Sequence, residues 1–173
     1  MNNRIIKTLI IFLILIGFTK NISADETKPS DSHQFNFFSG VFDINTSSKK
    51  TSELFGIQHS NEDLFRDTFL GKFSPITGFM MTADSASYFY TGVQAEYKIG
   101  KFNLVPSFAP GLYTMGDGKD LGSPLEFKSE LQLTIDLFPG TTLGYSQSHL
   151  SNANLGDTNP GADSYMFNFM KSF

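Results

Sequence analysis

From Gln34 to the C-terminus, hydrophobic and polar residues alternate with a period of two in stretches of about ten residues, separated by Gly, Pro, Asn and Asp. The sixth stretch is the clearest. Leu125, Phe127, Leu131, Leu133, Ile135 and Leu137 share one parity, interrupted only by Ser129, and Glu126, Lys128, Glu130, Gln132, Thr134 and Asp136 share the other. Successive side chains of a strand point to opposite faces, so this stretch has one apolar and one polar face. The fourth repeats the pattern, with Tyr90, Gln94 and Glu96 opposite Val93, Ala95, Tyr97 and Ile99. Eight strands are predicted, over 34–45, 52–60, 73–83, 88–99, 102–113, 125–137, 142–150 and 163–173. No longer repeat and no interdomain linker interrupts them.

The polar faces carry both signs of charge, as expected of side chains that fill a narrow interior by pairing. The predicted fold is therefore all-β, an eight-stranded antiparallel transmembrane β-barrel. Eight is the smallest number in bacterial barrels, and each tilted strand needs about 9–11 residues to cross the bilayer. Closure also removes the free edges that such strands would otherwise expose. With both termini in the periplasm, Gly100 and Pro139-Gly140 mark short periplasmic turns, and 84–87, 114–124 and 151–162 become extracellular loops. The 60–72 connection is long for a periplasmic turn. A soluble β-sandwich or a lipocalin-like carrier would also alternate, and periodicity alone leaves both open.

Composition strengthens the membrane reading. Nineteen Phe and six Tyr with no Trp are more than a small soluble core needs, whereas a lipid-facing band with aromatic girdles consumes them. At the N-terminus, Arg4 and Lys7 precede an apolar run over 9–18, and Ile22-Ser23-Ala24 supplies small residues for cleavage. A run of about ten residues is too short to span hydrocarbon, so 1–24 reads as a signal peptide and 25–173 as the barrel, with a polar, disordered lead-in over 25–32. Cleavage there removes Arg4, Lys7 and Lys20, so 13 basic residues less 3 leaves 10 against 17 acidic ones, a net charge of −7. That balance argues against nucleic acid, whose phosphates require a basic face. The absence of cysteine excludes disulfides, thiolate nucleophiles and zinc–thiolate sites.

Parity also picks out candidate chemistry. His149 and Ser151 are in phase with Leu143 and Tyr145, the outward face of the seventh strand, and Asp163 is in phase with Tyr165, Phe167 and Phe169 on the eighth. A hydroxyl, an imidazole and a carboxylate thus converge on the lipid-facing wall, where polar groups are costly. These residue types suit acyl transfer. Ser151 would be the nucleophile, His149 its general base, and Asp163 the carboxylate that orients the imidazole. Asn152 could offer its side-chain amide or backbone N–H to the developing oxyanion. The plainer alternative is that 151–162 is a solvated loop. Gly111 to Gly116 has the first spacing of a phosphate loop, but Asp117 stands where lysine is required. Asp157, Asn159, Gly161 and Asp163 alternate oxygen ligands without the calcium-loop order or its terminal Glu. His33 and His59 read as isolated interfacial residues.

The strings His149-Leu150-Ser151-Asn152-Ala153 and Asn159-Pro160-Gly161-Ala162-Asp163-Ser164 resemble the signature of the lipid A 3-O-deacylase (PagL-type) family, closest to the branch labelled acyloxyacyl hydrolase. Gly40-Val41-Phe42-Asp43, the 106–113 stretch, 116–122 and Leu125-Glu126-Phe127-Lys128-Ser129 agree with that branch. The resemblance implies an esterase of the Gram-negative outer membrane that removes the 3-O-linked hydroxyacyl chain from lipid A of lipopolysaccharide. It implies no cofactor and no metal. The family's catalytic histidine and serine fall on His149 and Ser151, and its oxyanion asparagine on Asn152. Where the family carries glutamate, this chain has Asp163, shorter by one methylene. A homodimer stays open, as does a non-catalytic small barrel serving envelope integrity or adhesion.

Overall fold

Alternation over ten or more residues is satisfied by strands that bury one face and expose the other, and a computed structural model of the chain is built almost entirely of them. The structure describes residues 32–44 and 51–173, so the expected signal peptide and lead-in up to 31 lie outside the described residues. The strands are β1 (His33–Phe42), β2 (Ser52–Asn61), β3 (Arg66–Thr68), β4 (Gly71–Thr82), β5 (Ser87–Ala95), β6 (Tyr97–Ile99), β7 (Phe102–Thr114), β8 (Leu125–Phe138), β9 (Thr141–Ser151) and β10 (Ala162–Ser172). Every pairing is antiparallel, β1 pairs β10, and β2 pairs β4, so the sheet closes on itself. The short β3 extends along β4, and β5 and β6 both run along β7 as one stave. The result is a closed eight-stranded barrel.

Three departures from the expected strands have local causes. The first strand ends at Phe42 rather than continuing to 45, because Asp43 adopts a left-handed backbone with φ of 60°; residue 45 itself lies outside the described residues. The fourth stave breaks at Glu96. Beside that break, Pro106 of β7 stands level with Ala95, and Pro110 farther along stands level with Thr91; the β5–β7 ladder skips both positions while the β7–β8 ladder keeps both prolines. Proline has no N–H to donate, so the pairing lapses on that side. The long 60–72 connection holds a single 3₁₀ turn, Glu62–Leu64, capped by Asn61 Oδ1 accepting from Asp63 N at 2.9 Å, and then β3.

The interior combines an apolar cluster, with Phe38, Phe42, Leu54, Ile76 and Met80, and a set of paired polar side chains. Lys128 donates to Glu130 at 2.7 Å, and its ammonium stands 4.1 Å from the Tyr90 ring centre. Tyr90 donates to Gln58 Oε1 at 3.0 Å, Asn36 to Asn168 at 2.9 Å and Asn168 to Ser146 at 3.0 Å. Glycines make room for these groups: a Cβ on Gly78 would lie 2.3 Å from Tyr90, and one on Gly56 would lie 2.1 Å from Phe38. The outer wall is apolar. Phe37, Phe55, Phe89, Leu112, Leu131 and Phe167 are all exposed, on six different staves. Such a continuous exposed belt suits hydrocarbon and not water.

Candidate active site

The site stands on β9 and β10 at the end of the barrel that carries the longer connections. Along β9, Leu143, Tyr145, Gln147 and His149 are exposed and Ser151 is partly so, while Ser146, Ser148 and Leu150 are buried. Along β10, Asp163, Tyr165, Phe167 and Phe169 face out, and Ala162, Ser164, Met166 and Asn168 face in. Imidazole, hydroxyl and carboxylate therefore stand on the outer face of the two strands. Register then aligns them. Asp163 is the direct cross-strand partner of His149, and Ser129 of β8 flanks His149 on its other side.

His149 Nδ1 lies 2.8 Å from Asp163 Oδ1. The side chain of Asp163 is 28% exposed against 54% for the ring, so the carboxylate is the more sheltered partner. A carboxylate at this distance favours the tautomer with the proton on Nδ1, which leaves Nε2 as a lone-pair acceptor. The edge of the ring that carries that nitrogen lies beside Gly161. A Cβ placed there would lie 2.9 Å from His149 Cε1 and 3.3 Å from Nε2. Gly161 is one step beyond the Ala162↔Leu150 pair, level with Ser151, so the free edge of the ring faces the serine's row. Among the described residues no hydrogen bond joins Ser151 to the ring. Such contacts commonly tighten only when substrate binds.

Asn152 is in a different environment from its neighbours. It is fully buried, and its Nδ2 donates to Leu121 O and to Thr158 O, both at 2.8 Å. Its Oδ1 accepts from Asn154 N at 3.0 Å, and its own N–H donates to Asn159 Oδ1 at 3.1 Å. Every donor that was a candidate for the oxyanion is thus engaged, within the 152–161 loop or across to the 115–124 loop. Ala153 and Asn154, which follow, both take left-handed φ, turning the chain sharply away from the strand.

Two residues next to this site enter the sequence reading only within the family resemblance, with no role. Lys119, in the Gly-Asp-rich loop, donates to Asp43 Oδ1 at 2.7 Å and to Gly161 O at 2.6 Å, with both charged side chains buried. The available signal was an isolated lysine among loop residues and an aspartate ending an apolar strand, neither of which specifies a partner. One reading is corrected. His33 and His59 are not isolated: His33 Nδ1 and His59 Nε2 lie 3.0 Å apart, with Phe35 against the His59 ring. They belong to the opposite end of the barrel. His59 faces Phe35 in the β1–β2 register, and His33 faces Asn61.

Comparison with known proteins adds to this geometry. A family model described as "Lipid A 3-O-deacylase (PagL)" matches residues 42–172. Among solved structures, the chain is similar to one described as "Crystal structure of the outer membrane enzyme PagL", with 16% identity and a TM-score of 0.63, covering 81% of this chain and 99% of that one. It is also similar to one described as "De novo design of transmembrane beta-barrels", with 11% identity and a TM-score of 0.54, covering 86% of this chain and 100% of that one. No curated protein matches the chain. At these identities the structural likeness bears on the fold.

Proposed function

The chain belongs to the lipid A 3-O-deacylase (PagL) family, and on that premise we propose that it is an outer-membrane esterase that removes the 3-O-linked hydroxyacyl chain of lipid A by a serine, histidine and acid mechanism. The observation that supports this most is the 2.8 Å His149–Asp163 contact on the outer wall, with Ser151 on the same face of the same strand. A polar pair on a lipid-facing surface is costly unless it acts there.

In this reading Ser151 Oγ attacks the ester carbonyl as His149 Nε2 takes its proton, and Asp163 holds the Nδ1–H and stabilises the imidazolium. Collapse of the tetrahedral intermediate returns the proton to the departing sugar 3-hydroxyl and leaves an acyl-serine. Water, activated by the same imidazole, then releases the hydroxy fatty acid. The acyl chain would lie in lipid along the wall, where Phe37, Ser39, Leu143, Phe167 and Phe169 border a groove of about 450 Å³. Asn152 contributes by fixing the loop that follows Ser151. Its use as an oxyanion donor requires release of one of its bonds to Leu121, Thr158 or Asn159.

The test is mass spectrometry of lipopolysaccharide incubated with refolded protein. The parent should release the 3-O-linked hydroxy fatty acid, and Ser151→Ala and His149→Ala should fold normally and lose at least about 10³-fold in rate. Two variants as active as the parent would refute the mechanism. A parent that leaves lipid A mass unchanged would favour the non-catalytic barrel instead.

A further inference from the structure

Three connections meet behind the acid of the site, and they meet at one ion pair. Lys119, between β7 and β8, and Asp43, at the end of β1, form a 2.7 Å contact with side chains only 6% and 0% exposed. Taking both charges out of water is expensive, and a closed barrel does not need such a pair in order to fold. Asp43 also takes up the left-handed φ of 60° that side chains other than glycine avoid. Two costs at one point call for a return elsewhere, and the geometry identifies it.

Further contacts of the pair reach the backbone that carries Asp163. Lys119 Nζ donates to Gly161 O at 2.6 Å, and Tyr113 Oη donates to Lys119 O at 2.7 Å, which fixes the lysine's own backbone. Ile44, next to Asp43, donates its N–H to Asp163 O at 3.1 Å. The carbonyls at both ends of Gly161–Asp163 are therefore held from outside β10, one by the lysine and one by the residue after its partner. The same short segment carries the carboxylate bonded to His149 and the glycine whose absent Cβ leaves room for the imidazole edge. An aspartate has one methylene less than a glutamate with which to absorb backbone drift, so a short acid needs a rigid support.

We propose that the buried Lys119–Asp43 pair is a positioning clamp for Asp163, holding the 161–163 backbone so that the shorter carboxylate stays bonded to His149 Nδ1. The proposal rests on the deacylase reading for its purpose but not for its test. Neither residue touches the ring or the serine hydroxyl, so both act through Asp163.

The experiment reads the histidine directly. In a His33→Asn/His59→Asn background His149 is the only histidine, and its ring nitrogen shifts in detergent micelles report the tautomer of the neutral imidazole. Asp163→Ala is the reference for a ring released from its carboxylate. Lys119→Met should move the tautomer pattern toward that reference and lower kcat by about ten- to a hundredfold, with KM within about twofold. Because Lys119→Met takes the cation away from the buried Asp43 carboxylate, Asp43→Asn/Lys119→Met is made alongside it. This double variant removes both charges, and it should show the same tautomer change in a fully folded barrel. A tautomer pattern identical to the parent in the folded double variant overturns the clamp, whatever the activity. If the parent does not deacylate lipid A while the tautomer still responds, the deacylase reading fails and the clamp stands.

Discussion

At the residue scale the site turns on how closely Gly161 and Asp163 fit the imidazole. Gly161 has φ of +60°, and its missing Cβ is the space into which the His149 ring edge extends. Gly161→Ala would add a methyl 2.9 Å from Cε1 while straining the backbone by about 1–2 kcal/mol. The barrel should survive that strain. The ring should not keep its place, and deacylation should fall at least about tenfold. A variant with parental rate and folded mobility on gels would show that the ring stands elsewhere. Asp163 already reaches Nδ1 at 2.8 Å, so lengthening it is expected to push the ring rather than to improve the contact. Asp163→Glu should lower the rate, and a clear gain would mean that aspartate is a degraded form of the site. The face occupied by His149, Ser151 and Asp163 was legible in the sequence, because a period of two assigns faces without reference to other strands. The His149–Asp163 register was not, because it depends on how the ten residues between Ser151 and Ala162 fold.

Those ten residues are an element in their own right, and Asn152 holds them. Its amide bridges Leu121 O and Thr158 O, two carbonyls from different connections, and its backbone is tied to Asn159. Asn152→Ala leaves both carbonyls without that donor, at a cost of about 1–3 kcal/mol for each that water cannot reach. The expected result is a barrel that still resists protease along its strands but is nicked in 152–161, with activity lost in proportion to loop opening. Uncut loops and unchanged hydrogen exchange there would show that Asn152 is dispensable to the connection. The sequence suggested an oxyanion role for this residue because an asparagine beside a nucleophilic serine is chemically apt. Its burial reverses the emphasis, since Asn152 has the opposite parity to Ser151 and so faces inward. The strands themselves were legible to within one to three residues at most ends. The break at Glu96 was missed because its cause, proline in β7, lies on the neighbouring stave and is invisible to a reading of one segment at a time.

Over the whole molecule, the closed barrel sets an interior of apolar and paired polar side chains against an apolar wall, and the mixed charge signs read from β8 find their use inside. Lys128 is the decisive case. It lies fully buried, with Glu130 at 2.7 Å and the Tyr90 ring beneath its ammonium at 4.1 Å. Pairing of this kind is weak evidence for stability in itself, because desolvation offsets much of the attraction, yet breaking one half of it leaves a charge in low dielectric. Lys128→Met should therefore destabilise the barrel by about 3 kcal/mol, since Glu130, with only 9% of its side chain exposed, is left without its cation. Lys128→Met/Glu130→Gln keeps similar volumes and removes both charges, so it should recover most of that loss. Urea midpoints of the barrel refolded into lipid vesicles measure the difference. If the double variant were as unstable as the single one, contact of the ammonium with the Tyr90 and Phe38 rings, rather than charge balance with Glu130, would be what the interior requires of this position.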